Sequence, residues 1–220
     1  MFKSLPPKLV DCLRQDNDAE RELLIVEGDS AANAVANARD SAFQAVLPMQ
    51  GKPLNAWKAS KPTVARNPFC SAIIQAIGAD WGEKFAIEKT RYQRIVLIFD
   101  PDADGIHCGM LVMLFFFRWM KPLLEAGRIV VVRPPSCVIT GTGIQDLYFV
   151  GPPQDSLAEE KKLESQGVRN LVRKPFRGLA SMSGPVLAKH CISPASRQAF
   201  TLRAEDVSVA LRIFGGQSEA

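Results

Sequence analysis

Short β-branched apolar runs recur along the chain, separated by polar stretches marked with proline or glycine. They predict strands at about residues 22–27, 43–47, 94–99 and 128–132, the second ended by Pro48 and the fourth by Pro134 and Pro135. Between them the pattern turns helical. Ser30 is placed to cap an alanine-rich helix over 31–38, residues 69–77 have helical character, and a long apolar helix runs from about 106 to 126, closed by Gly127. Residues 50–68 hold Gly51, Pro53, Pro62 and Pro68 and read as a loop. Strand and helix in alternation imply an α/β fold with a central parallel sheet and right-handed crossovers. Farther on, residues 138–140 and 146–150 flank Gly141-Thr142-Gly143 as a hairpin. A charged helix over about 155–166 follows, then a mixed tail from 173 to 216 that ends in a helix over 202–214. The expected division is a lead-in over 1–20, an α/β domain over 21–135, and a hairpin with a basic tail over 136–220 packing on that domain.

Two of the strands end in acids. One runs Leu24-Ile25-Val26-Glu27-Gly28-Asp29-Ser30, the other Ile95-Val96-Leu97-Ile98-Phe99-Asp100-Pro101-Asp102-Ala103-Asp104-Gly105. In an open α/β sheet, ligands bind at the carboxyl ends of the strands. Carboxylates gathered there repel one another unless a cation or protons intervene. Oxygen-only ligation by a few carboxylates, water and phosphate is the preference of Mg²⁺, so the pattern points to a Mg²⁺-dependent phosphoryl-transfer site. A cap on the helix near Ile106 would account for Asp102 or Asp104, but not for Asp100 and Glu27. The D-x-D-x-D-G pattern is not a calcium loop, because its twelfth position is Leu111 where a bidentate acid is required. His107 and Cys108 are adjacent, hence about 100° apart on a helix, which argues against a Cys–His dyad. His107 is expected to face a phosphate or the carboxylates and Cys108 the core. Tyr92 and Tyr148 have no neighbouring base in sequence and read as structural. Residues 115–117 and Trp119 read as buried helix.

Composition narrows the class without changing it. At 220 residues, 47% of them hydrophobic, the chain suits one domain, or one domain plus a small appendage. Five dispersed cysteines without a Cys-x-x-Cys argue against a disulfide framework or zinc site. No signal peptide is evident and the apolar run over 110–117 is too short to span a bilayer, so a cytoplasmic protein with no membrane partner is expected. The formal charge is +4, but residues 161–203 carry nine Lys/Arg against Glu164 alone, leaving the remainder acidic. A basic segment joined to an acidic site suits a polyanion held across both.

These motifs together resemble the Toprim region of bacterial type IIA topoisomerases, the gyrase B subunit and its topoisomerase IV counterpart. Residues 5–12 are similar to the family's LPGKLADC, and Glu27-Gly28-Asp29-Ser30-Ala31 matches EGDSA. Arg39-Asp40 with Phe43-Gln44-Ala45-Val46-Leu47-Pro48 matches RD…FQAILP, and Gly51-Lys52 with Leu54-Asn55 fits GKILN. Asp100, Asp102 and Asp104 fall on the acids of DADVDG and His107 on the histidine that follows. Residues 115–118 resemble FFFR, residues 132–135 resemble AQPP, and Ser196-Arg197 fits SRTL. Phe176-Arg177-Gly178-Leu179 with Met182 resembles KGLGEM.

The resemblance implies a Rossmann-like Toprim fold and reversible transesterification of DNA. In it, Glu27 is general acid/base and metal ligand, Asp100 and Asp102 hold Mg²⁺ with Asp104 assisting, and Mn²⁺ can substitute. Lys52, Asn55, His107 and Arg177 fall where the family touches double-stranded DNA. The cleaving tyrosine comes from a gyrase A-like partner subunit, and a homodimer is among the assemblies implied. The family's ATPase and transducer regions have no counterpart in these residues, so no ATP site is expected. Several family positions differ: Ala32-Asn33 replace a glycine pair, Ala36 a lysine, and Gln50 and Gly109 arginines. Fewer phosphate-facing cations weaken DNA affinity and flatten its salt dependence. Two further readings therefore stand beside the topoisomerase module: a Toprim-type metal nuclease, and a non-catalytic paralogue that docks on a topoisomerase subunit or DNA.

Overall fold

Leu23–Val26 and Ile95–Ile98 are buried at every residue, so both strands are covered on both faces. That is the environment of a parallel sheet between helical layers. A computed structural model describes residues 4–14, 20–51 and 53–214 of the chain. Its main sheet has the order β2-β1-β3-β4-β8, built from β1 (Glu22–Glu27), β2 (Gln44–Met49), β3 (Arg94–Ile98), β4 (Ile129–Val132) and β8 (Ala199–Thr201). The first four are mutually parallel and β8 closes the β4 edge antiparallel. Strand β1 lies between β2 and β3, with Val26 opposite Ile98 of β3 and Pro48 of β2.

The alternation of side chains divides the core in two. Leu23, Ile25, Ala45, Leu47, Ile95, Leu97 and Ile129 face α3 (Pro68–Ile77), α4 (Ala103–Trp119), α5 (Lys121–Glu125) and α8 (Val207–Phe214). Leu24, Val26, Val46, Val96, Ile98 and Val132 face α1 (Gly28–Ala38) and the tail residues Leu179, Met182, Leu187, Cys191 and Ile192, in and around α7 (Gly184–Leu187). At about 1.5–3 kcal/mol for each fully buried large aliphatic side chain, both layers are needed, and the second is supplied largely by the tail. A separate antiparallel sheet, order β6-β5-β7, comprises β5 (Cys137–Thr142), β6 (Leu147–Phe149) and β7 (Arg169–Pro175), with α6 (Ser156–Ser165) between β6 and β7.

Several boundaries differ from the sequence reading. Strand β2 continues through Pro48 to Met49, since at the sheet edge proline can turn its missing donor outward. The helix expected over 106–126 is two. Met120 breaks it at φ −144°, ψ 39°, and Pro122 opens α5, where its ring and missing N–H are harmless only in a first turn. Ser30 lies inside α1, whose N-cap residue is Glu27. The 50–68 loop contains α2 (Lys61–Arg66), with Ser60 accepting the Thr63 amide and proline in the first turn. Strand β7 begins at Arg169, ahead of the expected mixed segment from 173, and β8 lies within that segment; the sequence pattern indicates neither strand. The last helix begins at Val207, preceded by a short turn over Ala204–Asp206.

The hairpin over β5 and β6 is present as expected. The five cysteines are buried free thiols. Tyr92 is fully buried and donates its hydroxyl to Asp11 at 2.7 Å, joining the lead-in to the core as a structural residue. Among the described residues no helix is long and apolar enough to cross a membrane.

One ionic contact ties the tail to the sheet. The Arg197 guanidinium meets both oxygens of Glu22, at 2.6 and 2.8 Å, with each side chain only 4% exposed. Arg197 also donates to the Ile192 carbonyl at 3.0 Å, and Gln44 Nε2 bridges that carbonyl and Glu22. Removing one member of such a pair leaves a buried charge without its counterion. Arg197→Met is therefore expected to cost about 3–5 kcal/mol in urea unfolding, and adding Glu22→Met to recover most of it. A loss below about 1 kcal/mol would match a solvated surface pair and contradict the assignment.

Candidate metal centre

Adjacent parallel strands deliver the acids to one place. Glu27 ends β1, Asp100 lies two residues beyond β3, and α1 and α4 both begin at that edge. Asp102 is the N-cap of α4, its Oδ1 accepting the Gly105 amide at 2.8 Å. The capping role thus belongs to Asp102 and leaves the other acids unexplained by it. Asp104 occupies the exposed first turn of α4. Gly105 is required sterically, because a Cβ there would stand 2.2 Å from the Asp100 carbonyl oxygen.

Glu27 makes no cap bond to α1. One oxygen, Oε1, accepts a long contact from the Cys108 thiol at 3.8 Å, and the other, Oε2, is buried with no hydrogen-bond partner. Burial pushes the Glu27 carboxyl above its ordinary range, and Asp100 and Asp102, with a lesser push from Asp104, add to this; the thiol contact opposes it. Asp100 is also raised, first by burial and then by Asp102, against the stabilising hydrogen bond from the Leu179 amide at 2.8 Å. These acids hold protons more readily than free carboxylic acids do. A divalent cation would relieve the same repulsion.

An open cleft of about 330 Å³ lies over these groups, lined by Glu27, Ser30, Ala31, Asp100, Arg177, Gly178, Ala180 and Ser181. Its far wall is the tail loop at 177–181. Gly178 has φ +135°, and a Cβ would come within 2.4 Å of Asp100 Oδ2. Among the described residues no three His, Cys, Asp or Glu side chains converge enough to hold a metal unaided. Mg²⁺ takes one or two carboxylates and completes its shell with water and phosphate oxygens. The partnerless Glu27 oxygen and the oxygen-only donor set fit such a half-site.

The structure brings Glu27, Asp100 and Arg177 to the cleft, with Asp102 and Asp104 on the adjoining start of α4. His107 is half-buried on α4 and Cys108 is buried beside Glu27. Asn55 is outside the cleft lining and accepts the Trp57 and Lys58 amides, organising its own turn. Lys52 lies outside the described residues. Sequence reasoning missed Ser30, Ser181, Gly178 and the Leu179 amide as site elements, although the KGLGEM-like match covers the last two. At the positions that differ from the family, Ala32 packs in the core under α1 and Asn33 is exposed. Gln50 bonds Asp29 at 2.9 Å and accepts from Lys8 at 2.8 Å, while Lys8 pairs with Asp29 at 2.7 Å. Lys8 thereby brings a cation beside Gln50. A Cβ at Gly109 would approach Phe99 to 3.3 Å, so a larger side chain there needs Phe99 to give way.

Comparison with known proteins matches residues 22–134 to the Toprim domain. The chain is 37% identical over 214 residues to the DNA gyrase B protein of Archaeoglobus fulgidus, covering 97% of this chain and 33% of that protein. It is 38% identical over 211 residues to the DNA gyrase B protein of Thermotoga maritima, covering 96% and 32%. Identity to the Streptococcus pneumoniae counterpart is 36% over 215 residues, covering 97% and 33%. The chain therefore spans about a third of the length of the curated relatives it matches.

The raised carboxyls give stability a definite pH dependence. Because the folded pKa values of Glu27 and Asp100 lie above the unfolded ones, the folded state binds more protons in that interval. Their stabilising contribution is fully present below the ordinary carboxylate pKa and is lost as pH rises through the raised values. In a chelator, Glu27→Gln is expected to raise the melting temperature at neutral pH and to leave it unchanged in acid below the ordinary Glu range. Equal melting of both proteins at neutral pH would contradict the repulsion described.

Proposed function

Because the chain belongs to the Toprim domain family, we propose that it is the metal-binding cleavage module of a gyrase B-type DNA topoisomerase, working with a tyrosine-bearing partner subunit on double-stranded DNA. The observation that carries this reading is the Glu27 carboxylate: buried on one oxygen without a partner, raised in proton affinity, and beside Asp100 at the mouth of one cleft. Asp100 and Asp102 would hold Mg²⁺, or Mn²⁺ in its place, with Asp104 assisting. The metal, when bound, supplies positive charge to a crowded phosphoryl transition state. Glu27 would move a proton to or from the leaving oxygen, a task that a carboxyl raised toward neutral pH performs better than an ordinary one. Arg177, on the opposite wall, would orient a phosphate, and His107, Asn55 and Lys52 would add further DNA contacts. The basic tail adds sequence-independent attraction for the backbone.

The chain alone has no role for ATP in this reading and should not relax DNA. Incubated with a gyrase A-type protein, Mg²⁺ and supercoiled plasmid, then quenched with detergent, it is expected to give broken DNA covalently attached to the partner. Glu27→Gln should lower that yield by at least about a hundredfold, the scale on which general acid–base groups contribute, and Asp102→Asn should lower it as well. Plasmid relaxation by the chain without a partner would overturn the reading. Mn²⁺-dependent nicking by the chain alone, abolished in Glu27→Gln, would replace it with a hydrolytic nuclease.

A further inference from the structure

We infer that the tail loop carrying Gly178 and Leu179, beyond the matched residues 22–134, is a positioning element of the metal centre that fixes the Asp100 carboxylate. This rests on the reading that the centre binds a divalent cation. Three observations converge on Asp100. Its Oδ1 accepts the Leu179 amide at 2.8 Å. Its carboxylate lies so close to the Gly178 backbone that a Cβ would stand 2.4 Å from Oδ2, 2.9 Å from Cγ and 3.1 Å from Oδ1. The loop itself is locked, with the Ser181 hydroxyl donating to the Gly178 carbonyl at 2.7 Å and accepting the Arg177 amide at 3.0 Å.

Leu179 anchors the loop below. It is fully buried with Met182 against Leu24, Val26 and Ile98, on the sheet face that the tail covers. A carboxylate has about four lone-pair sites, so one amide contact fixes its orientation and leaves capacity for a cation. Partners of this kind orient ligands and commonly alter metal affinity by about 10–100-fold when removed. The centre is then assembled from two parts of the chain, and its affinity depends on the tail being docked.

The test is a Mn²⁺ titration of the full chain followed by electron paramagnetic resonance, with Asp102→Asn as control. Gly178→Ala inserts a methyl against the carboxylate and is expected to weaken binding about tenfold or more, with the circular dichroism spectrum retained. Ser181→Ala loosens the loop without adding bulk and should weaken binding by a smaller factor, its thermal unfolding in chelator remaining cooperative. A folded Gly178→Ala that binds Mn²⁺ as tightly as the parent overturns the inference and leaves the metal centre standing. If Gly178→Ala does not fold, Ser181→Ala decides, and unchanged affinity there overturns it equally. A parent chain that takes up no more Mn²⁺ than Asp102→Asn removes the metal-centre reading and this inference with it.

Discussion

The Glu22–Arg197 pair fastens the two halves of this molecule. Glu22 opens the first strand and Arg197 lies 175 residues later, yet they meet through two short hydrogen bonds in a place closed to water. A buried pair of this type gives little net stability over apolar residues of similar shape, but it tolerates no partial match. It thus selects one docking of the tail on the sheet. The same strand carries a second acid at its other end, and the contrast is instructive. Glu22 is surrounded by Arg197, Arg94 and Gln44, whereas Glu27 has one weak thiol contact and an oxygen with no partner. A strand with a satisfied carboxylate at one end and an unsatisfied one at the other shows where the fold has left electrostatic strain in place.

Much of the central architecture could be read from the chain because parallel strands buried on both faces leave a plain record of β-branched residues. The positions of Glu27 and Asp100 followed from that record, since strand ends fix where the next residues emerge. The break at Met120 and Pro122 is less legible: residues 106–126 are mostly apolar, and that hydropathy masks the proline. The tail was least legible. Strand β7 is mostly exposed and β8 entirely so, which removes the alternation that identifies strands, and their pairing is set by partners far away in sequence. The Leu179 amide could not be found from side-chain chemistry, because a backbone N–H has no residue type. Only the likeness of its surroundings to a known motif pointed to it.

The replaced family positions divide by environment. Ala32 is part of the core, so its methyl fills space beneath α1 that glycine would leave open. Gln50 bonds Asp29 and accepts from Lys8, so a cation of the lead-in stands beside that position.

The reach of the tail also constrains how the chain comes into being. During synthesis the strands and helices up to β4 emerge first, and domains tend to fold from the N-terminal side. Until residues 179–192 follow, Leu24, Val26, Val96 and Ile98 present an apolar sheet face covered by α1 alone. Closure of so long a loop is slow relative to local helix formation. The nascent chain thus passes through an interval in which that sheet face is only partly covered and Asp100 lacks the amide that orients it.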